Sequence, residues 1–265
     1  MNTNPVADLH VHTTASDGVL TVEQLPEAAR RANVAWLAVT DHDTIHPELS
    51  APVTRREGVG IIRGIELRVD AGDQRLDLLG YGVEPTAELQ AELERLQADR
   101  QQRGRRIIQA VESHLGVELP LEPRPGIGRP HIARAIADSE APYDVDRAFA
   151  ELIGNDGPCY VPRAVTPLDR GIELLGEACP VVSLAHPFRY PDPEAALDVA
   201  AQLEGIEYDY PYPRDVPTDS LDEICVSADL LRTGGSDAHG ETVGQTGVGS
   251  KDFERFRRQL QPAVS

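Results

Sequence analysis

Short apolar runs rich in β-branched residues alternate with segments of helical spacing along much of the chain. Between the first two runs, apolar residues from Leu25 to Ala32 recur on one face of a predicted helix, with Thr21 as its expected N-cap. Strands that alternate with helices predict a parallel sheet, either open or closed into a barrel. The predicted strands are the runs at 6–10, 34–40, 59–67, 75–83, 180–186, 205–210 and 230–237.

The stretch between the fourth and fifth runs differs in kind. From about Pro85 to Pro162, leucine, isoleucine and valine recur mainly at helical spacing. We therefore expect a helical insert at residues 87–162. Residues 1–86 and 163–265 are expected to form the domain that carries it.

Acidic residues outnumber basic residues by a wide margin. The sequence has 44 Asp and Glu against 25 Lys and Arg, a formal net charge of -19, and Lys251 is its one lysine. At molar salt the Debye length falls to about 3 Å, which screens repulsion among surface carboxylates. We therefore expect a halophilic protein, with an ordinary acidic enzyme as the alternative. The same charge argues against duplex DNA as a partner, because such binding needs a basic face.

The sequence shows no membrane or secretory pattern. Its first residues lack a basic region followed by an apolar run, and no stretch reaches the roughly 18 to 20 apolar residues that span a bilayer. The three cysteines, Cys159, Cys179 and Cys225, lack the spacing of a disulfide framework or a thiolate zinc site. These features predict a cytoplasmic protein that acts away from membranes.

Side chains of the kinds that bind metals follow nearly every predicted strand. His10 and His12 lie two residues apart at the end of the first run, so both can face one ion. The carboxyl ends of parallel strands form one rim, and active sites of such folds are built there. The candidate ligands along this rim are His10, His12, Asp17, His42, Glu66, Asp77, His186, Asp237 and His239.

The chemistry of this set indicates which metals it would bind. Imidazoles and carboxylates without thiolates suit Zn²⁺, Mn²⁺ or Fe²⁺, and the candidates outnumber the ligands of one tetrahedral ion. We therefore expect two or three divalent ions. Ions a few ångströms apart typically clamp a phosphoryl group and supply a hydroxide near neutral pH.

Six motifs in order resemble one known family. They are DLHVHTTASDG, TDHDT, GIEL, GRPHIARAI, AHP and TGGSDAHG, and they span most of the chain. The sequence resembles the PHP (polymerase and histidinol phosphatase) metal-dependent phosphoesterases. The insert with GRPHIARA is most similar to the subgroup of nucleoside 3',5'-bisphosphate phosphatases and 5'-3' oligoribonucleotide exonucleases. That resemblance implies a distorted (β/α)₇ TIM-like barrel with a helical insert and a trinuclear metal site.

The resemblance also implies a distribution of ligands. One ion would be held by His10, His12, Glu66 and Asp237, with Glu66 bridging to a second ion that His186 also binds. The third would be held by Asp17, His42 and His239. Asp77 departs from the family pattern, because a histidine is expected before LLGY. A carboxylate there is shorter and harder, which favours Mn²⁺ or Fe²⁺ over Zn²⁺ at the second site.

Four residues of the insert and its return segment are candidates for holding a substrate phosphate. His131 opens a predicted helix, whose N-terminus favours anions, and Arg129 and Arg134 lie beside it. Arg163 follows where the chain returns to the barrel. The alternative role for these groups is a salt bridge that packs the insert.

The combined prediction is an enzyme that acts on a small phosphorylated substrate. We expect hydrolysis of the 3'-phosphate of a nucleoside 3',5'-bisphosphate by a metal-bridging hydroxide, with catalytic roles for Asp17, His42, Arg129 and His131. The alternatives are a histidinol-phosphatase-like phosphomonoesterase, a 5'-3' exonuclease on short RNA, and a metal-dependent regulatory module without enzyme activity.

Overall fold

The computed structural model describes residues 5–124 and 126–260. The chain divides into two compact units. The barrel unit comprises the chain up to Gln90 and from Thr166 onward, and the helical unit comprises Ala91–Val165.

The described strands all lie in the barrel unit. Their order across the sheet is β1-β2-β4-β5-β7-β8-β9, with β3 and β6 both paired to β4. The strands are β1 (Ala7–Val11), β2 (Trp36–Val39), β3 (Val53–Arg56), β4 (Val59–Asp70), β5 (Arg75–Tyr81), β6 (Thr166–Pro167), β7 (Val181–Leu184), β8 (Gly205–Asp209) and β9 (Leu231–Gly234).

The prediction of a parallel sheet is wrong at β5. This strand pairs antiparallel with both β4 and β7, while β1, β2 and β4 are parallel, as are β7, β8 and β9. The reason is a short connection, because β4 ends at Asp70 and β5 begins opposite it at Arg75. A turn this tight can join only antiparallel strands, since a parallel crossover needs a dozen residues or more. The beginning of β5 therefore lies at the rim where its neighbours β4 and β7 end.

The two edges of the sheet meet beyond β9. The His12 amide donates to the Ala238 carbonyl at 3.0 Å, and the Ala238 amide donates to the His10 carbonyl at 3.3 Å. Gly235 permits this approach, because a Cβ on residue 235 would lie 2.4 Å from both the backbone nitrogen and the Cβ of His10. The sheet thus curls into a distorted TIM-like barrel of mixed α/β class, which confirms the predicted fold.

Helices follow the strands of the barrel unit and make up most of the ordered structure of the helical unit. The predicted helix after the first strand is present, but its N-cap is Gln24 and not Thr21. Thr21 instead donates its backbone N–H to the Gln24 side chain at 2.8 Å, one turn before the helix. The helices are α1 (Leu25–Ala32), α2 (Ala87–Leu115), α3 (Arg129–Ala137), α4 (Val145–Ala148), α5 (Leu168–Ala178), α6 (Pro193–Ala200), α7 (Thr218–Ser227) and α8 (Ser250–Gln259).

The strands alternate their side chains between two apolar clusters of the barrel unit. Leu37 of β2 packs in one cluster with Leu25 of α1, whereas the next residue, Ala38, packs in the other with Phe256 of α8. This alternation is the two-residue period of a strand buried on both faces. The helical unit has its own core, which includes Ile107, Val111, Ile132, Ile136 and Leu152.

Candidate metal centre

The nine predicted ligands lie in the barrel unit and form three groups. Within each group, one ligand atom from every residue lies within 4.8 Å of the others. The first group is His10, His12 and Asp237; the second is His12, Asp17, His42 and His239; the third is Glu66, Asp77 and His186. His12 belongs to two groups, so it links them.

The end of β1 and the segment after β9 build the first group. His10 and His12 point to the same side, and their Nε2 atoms lie 3.1 Å apart. Asp237 Oδ1 lies 3.1 Å from His12 Nε2 and 3.4 Å from His10 Nε2. Both histidines are fully buried. Two imidazole nitrogens and a carboxylate oxygen thus face one point, as a metal requires.

The loop after β1 brings Asp17 to the second group. The Asp41 carboxylate accepts hydrogen bonds from the backbone N–H and the hydroxyl of Thr13, at 2.8 and 2.7 Å, and from the Ser16 hydroxyl at 2.6 Å. Asp17 Oδ1 then lies 3.4 Å from His239 Nε2 and 3.8 Å from His42 Nε2. Asp41 therefore holds the loop that presents Asp17.

Glu66 connects all three groups. Its Oε2 lies 2.7 Å from His42 Nδ1 and 3.4 Å from His12 Nε2, and its Oε1 lies 3.2 Å from His186 Nε2. The sequence suggested that Glu66 ends a strand. In the structure it lies inside the long strand β4. The segment after β2 continues alongside this strand, and there the Asp43 amide donates to the Glu66 carbonyl at 2.8 Å. A buried carboxylate in this position can bridge two cations.

Three non-glycine residues of the site adopt left-handed backbone conformations. They are Asp43, His186 and Asp237, with φ of 49°, 29° and 51°. His186 thus departs from the extended backbone that usually precedes a proline, and Pro187 starts a 3₁₀ turn directly after it. Such conformations are costly and tend to be retained where a side chain must face a functional site.

Charges in the site stabilise one another. Burial opposes ionisation of Asp17, yet a hydrogen bond from His239 and the charge of His42 lower the pKa of Asp17. Burial also disfavours the charged form of His239, but Asp17 outweighs it and raises the pKa of His239 to about 9. For His10, burial lowers the pKa, whereas carboxylates led by Glu207 raise it well above its usual value. The carboxylates thus create a field that favours a bound cation.

Donor chemistry in the first two groups fits divalent ions. Buried imidazoles and carboxylates converge there without a thiolate, and isolated buried carboxylates are unstable without a compensating charge. The buried Oδ1 of Asp17 and Oε2 of Glu66 face the imidazoles of these groups, so a cation bound among them would compensate both charges.

The third group fits a metal less well. Asp77, 1% exposed, receives both hydrogen bonds of a guanidinium: Arg68 Nε donates to Oδ1 at 2.7 Å and Nη2 to Oδ2 at 2.5 Å. His186 Nε2 lies 3.7 Å from Asp77 Oδ2. The carboxylate that should complete this group is therefore already paired with a cation.

Two charged residues beside the ligands, Glu207 and Arg189, were not predicted from the sequence. Glu207 of β8 is fully buried; its Oε1 lies 2.9 Å from His10 Nδ1, and its Oε2 accepts the His186 backbone N–H at 2.7 Å. Arg189 Nη1 donates to Asp237 Oδ2 at 2.9 Å and to the Tyr210 hydroxyl at 2.8 Å. A charged residue inside the apolar run GIEYDY was a signal for Glu207. No comparable signal marked Arg189.

The four phosphate-binding candidates all lie in the helical unit. Arg129 donates to the Ile153 carbonyl at 3.2 Å and to the Asn155 side chain at 3.0 Å. His131, at the third position of α3, accepts the Gly128 backbone N–H at Nδ1, at 3.2 Å. Arg134 is exposed on the same helix, and Arg163 is half-buried beyond it. Arg129 and His131 thus have partners inside the helical unit itself.

A family model matches residues 8–145 of the chain, and its description is PHP domain. The match covers more than half of the sequence and includes most of the ligand motifs. The chain belongs to the PHP domain family.

Curated relatives of this PHP protein are phosphoric ester hydrolases. It is 28% identical to the 3',5'-nucleoside bisphosphate phosphatase of Chromobacterium violaceum, over 91% of this chain and 90% of the relative. It is 32% identical to the phosphoribosyl 1,2-cyclic phosphate 1,2-diphosphodiesterase of Eggerthella lenta, over 89% and 95%. It is 28% identical to the 5'-3' exoribonuclease Rnm of Escherichia coli, over 70% and 66%.

A solved structure supports the fold. A protein of Bifidobacterium adolescentis, assigned as a metal-dependent phosphoesterase, superposes with a TM-score of 0.81 over 97% of both chains, at 23% identity.

The family and the curated relatives make this PHP protein an enzyme, a metal-dependent phosphoric ester hydrolase. The alternative of a regulatory module without activity is set aside. In the described part of the chain, every helix is too short or too polar to cross a bilayer.

Proposed function

We propose that this PHP protein hydrolyses a phosphate monoester. We propose that its substrate is a nucleoside 3',5'-bisphosphate, from which it removes the 3'-phosphate. The observation that carries the proposal is the convergence of imidazoles and carboxylates into adjoining ligand groups linked by His12 and Glu66. The similarity to a phosphatase named for that substrate supports the choice among phosphate esters.

The proposed metal ligands follow these groups. The first ion would be held by His10, His12 and Asp237 and the second by Asp17, His42 and His239, with Glu66 available to both. When bound, such ions polarise phosphoryl oxygens and lower the pKa of water toward neutrality. Their number is two or three, and we propose Mn²⁺, Fe²⁺ or Zn²⁺, because imidazoles and carboxylates without thiolates suit these ions.

The chain's own residues have separate roles in this proposal. Asp17 and His42 would hold the second ion, which would supply positive charge to the phosphate that is hydrolysed. Arg129 and His131 hold the second phosphate of the substrate, with Arg134 and Arg163 adding positive charge. Binding energy from a remote phosphate helps to keep the reacting ester in line.

The substrate is tested by product analysis with Mn²⁺ at high KCl. The substrates to compare are a nucleoside 3',5'-bisphosphate, histidinol phosphate, a short 5'-phosphorylated RNA and phosphoribosyl 1,2-cyclic phosphate. We expect the highest kcat/KM for the bisphosphate, with release of its 3'-phosphate. A higher kcat/KM for any of the others would replace the bisphosphate by that substrate. Mn²⁺-dependent hydrolysis that survives replacement of both His12 and Asp237 by alanine would refute the metal centre itself.

The role of Arg129 is tested by a comparison of two substrates. Arg129→Ala should raise KM for the bisphosphate far more than KM for a small aryl phosphate, because only the bisphosphate has a second phosphate for Arg129 to bind. Arg105→Ala, which removes an exposed arginine of the same helical unit, is the matched control and should change neither. Equal changes in KM for both substrates would assign Arg129 to packing within its unit.

We also propose that the acidic composition is an adaptation to high salt. With a net charge of -19, self-repulsion should destabilise the folded protein in dilute buffer and weaken as KCl rises. The Tm should therefore increase between low and molar KCl. An unchanged Tm would favour an ordinary acidic enzyme.

A further inference from the structure

The pair formed by Arg68 and Asp77 is built into the register of two strands. Arg68 of β4 lies directly opposite Asp77 of β5 in the antiparallel ladder. Arg68 is two residues from Glu66 on the same strand, so both side chains stand on the same face of the sheet. The fold thus places a guanidinium within the third ligand group, beside its two carboxylates.

The backbones of both partners are anchored. The Arg68 amide donates to Asp43 Oδ1 at 3.2 Å, and the Asp77 amide donates to the Tyr190 hydroxyl at 2.9 Å. Tyr190 in turn donates to the Ala185 carbonyl at 3.0 Å, next to His186. The pair is therefore held at both ends by neighbours that also border the ligand group.

Because Asp77 is paired with Arg68, its carboxylate has little capacity left to bind a metal. Both carboxylate oxygens accept a hydrogen bond from Arg68, in the two-point arrangement that suits a guanidinium and a carboxylate. Arginine remains charged at any physiological pH. A divalent ion bound by Asp77, Glu66 and His186 would lie next to this permanent charge, and the two cations would repel each other.

We infer that Arg68 is the resident cation of the third group, so that this chain binds two metal ions and excludes a third. The inference rests on the proposed metal centre, since it assumes that the first two groups hold ions. Glu66 then serves the first two groups, and its contact with His186 orients it. Arg68 neutralises Asp77, as a third ion would otherwise do.

The test counts metal ions in the full-length protein. Apoprotein prepared with a chelator is loaded with excess Mn²⁺, desalted, and analysed for manganese per chain by mass spectrometry, with calorimetric titration to detect a weaker binding event. We expect two ions in the wild type and three in Arg68→Gln. The double variant Arg68→Gln with Asp77→Asn should return to two, because the third ion needs the carboxylate of Asp77.

Two further variants control for charge and for general destabilisation. Arg68→Lys keeps the cation and should stay at two ions. Arg232→Gln breaks another half-buried arginine pair of the barrel unit, with Asp222, and should also stay at two. Circular dichroism establishes that each variant folds. If Arg68→Gln does not fold, the wild-type count still decides, since two ions support the inference and three overturn it.

The outcomes separate this inference from the proposed function. Three ions in the wild type, or two in a folded Arg68→Gln, would overturn the role of Arg68 and leave the phosphatase proposal intact. Fewer than two ions in the wild type would overturn the metal centre and the inference with it.

Discussion

The carboxylate of Glu207 decides which nitrogen of His10 can bind a metal. It is fully buried, with Oε1 2.9 Å from His10 Nδ1 and Oε2 2.7 Å from the His186 backbone nitrogen that donates to it. A carboxylate only accepts hydrogen bonds, so in the neutral ring that binds a metal it keeps the proton of His10 on Nδ1. The lone pair on Nε2 is then directed toward His12 and Asp237, as a metal ligand requires.

Glu207→Gln should reverse this arrangement without changing the size of the side chain. The His186 N–H can only donate, so the amide oxygen of the glutamine must accept it. The amide NH₂ then faces His10 Nδ1, which becomes an acceptor, and the proton moves to Nε2. The nitrogen that faces the first group is no longer a ligand. Loss of such an orienting partner typically lowers metal affinity by about 10-fold to 100-fold, or about 1.4 to 2.7 kcal/mol.

Calorimetric titration with Mn²⁺ measures this change. Activity in saturating Mn²⁺ should recover in part, whereas activity at limiting Mn²⁺ should fall with the affinity. Glu177→Gln, at an exposed glutamate of α5, is the matched control and should bind as the wild type does. A folded Glu207→Gln protein with Mn²⁺ affinity within twofold of the wild type would refute the reasoning.

Two further predictions concern the closure of the barrel and a buried carboxylate. Gly235→Ala should abolish Mn²⁺ binding or folding, because its Cβ would lie 2.4 Å from the His10 backbone nitrogen. A calorimetric titration measures the Mn²⁺ binding and a melting curve measures the folding. Wild-type results in both would contradict the close approach. Burial, aided by Asp252, raises the pKa of Asp209 to about 6 from 3.8. A raised pKa means that Asp209 keeps its proton to a higher pH in the folded state, so the contribution of this residue to stability is most favourable below pH 3.8 and declines until about pH 6. Asp209→Asn should therefore stabilise the protein by about 1 to 2 kcal/mol in urea unfolding at pH 7.5 and by much less at pH 4.5, after allowance for solvent screening. An equal gain at both values would exclude ionisation as the cause.

Much of the fold could be predicted from the sequence, and so could most of the side chains that meet in the candidate metal centre. Apolar runs with β-branched residues mark strands because a strand buried on both faces must be apolar throughout. Histidines and carboxylates after such runs stand out because they are costly to bury without a partner. The direction of β5 could not be read in this way, since the apolar run RLDLLGYGV is the same in either direction of pairing.

The amino-acid sequence by itself determined the kinds of side chain at the rim of the barrel and the family to which the chain belongs. Tertiary structure alone decided the partner of each. Arg68 meets Asp77 because of an antiparallel register, and Glu207 reaches His10 across 197 positions of the chain because the sheet closes on itself. Local patterns record the burial and polarity of single residues. Hydrogen bonds and ion pairs depend on which strands lie side by side, and that is set by the packing of the whole barrel.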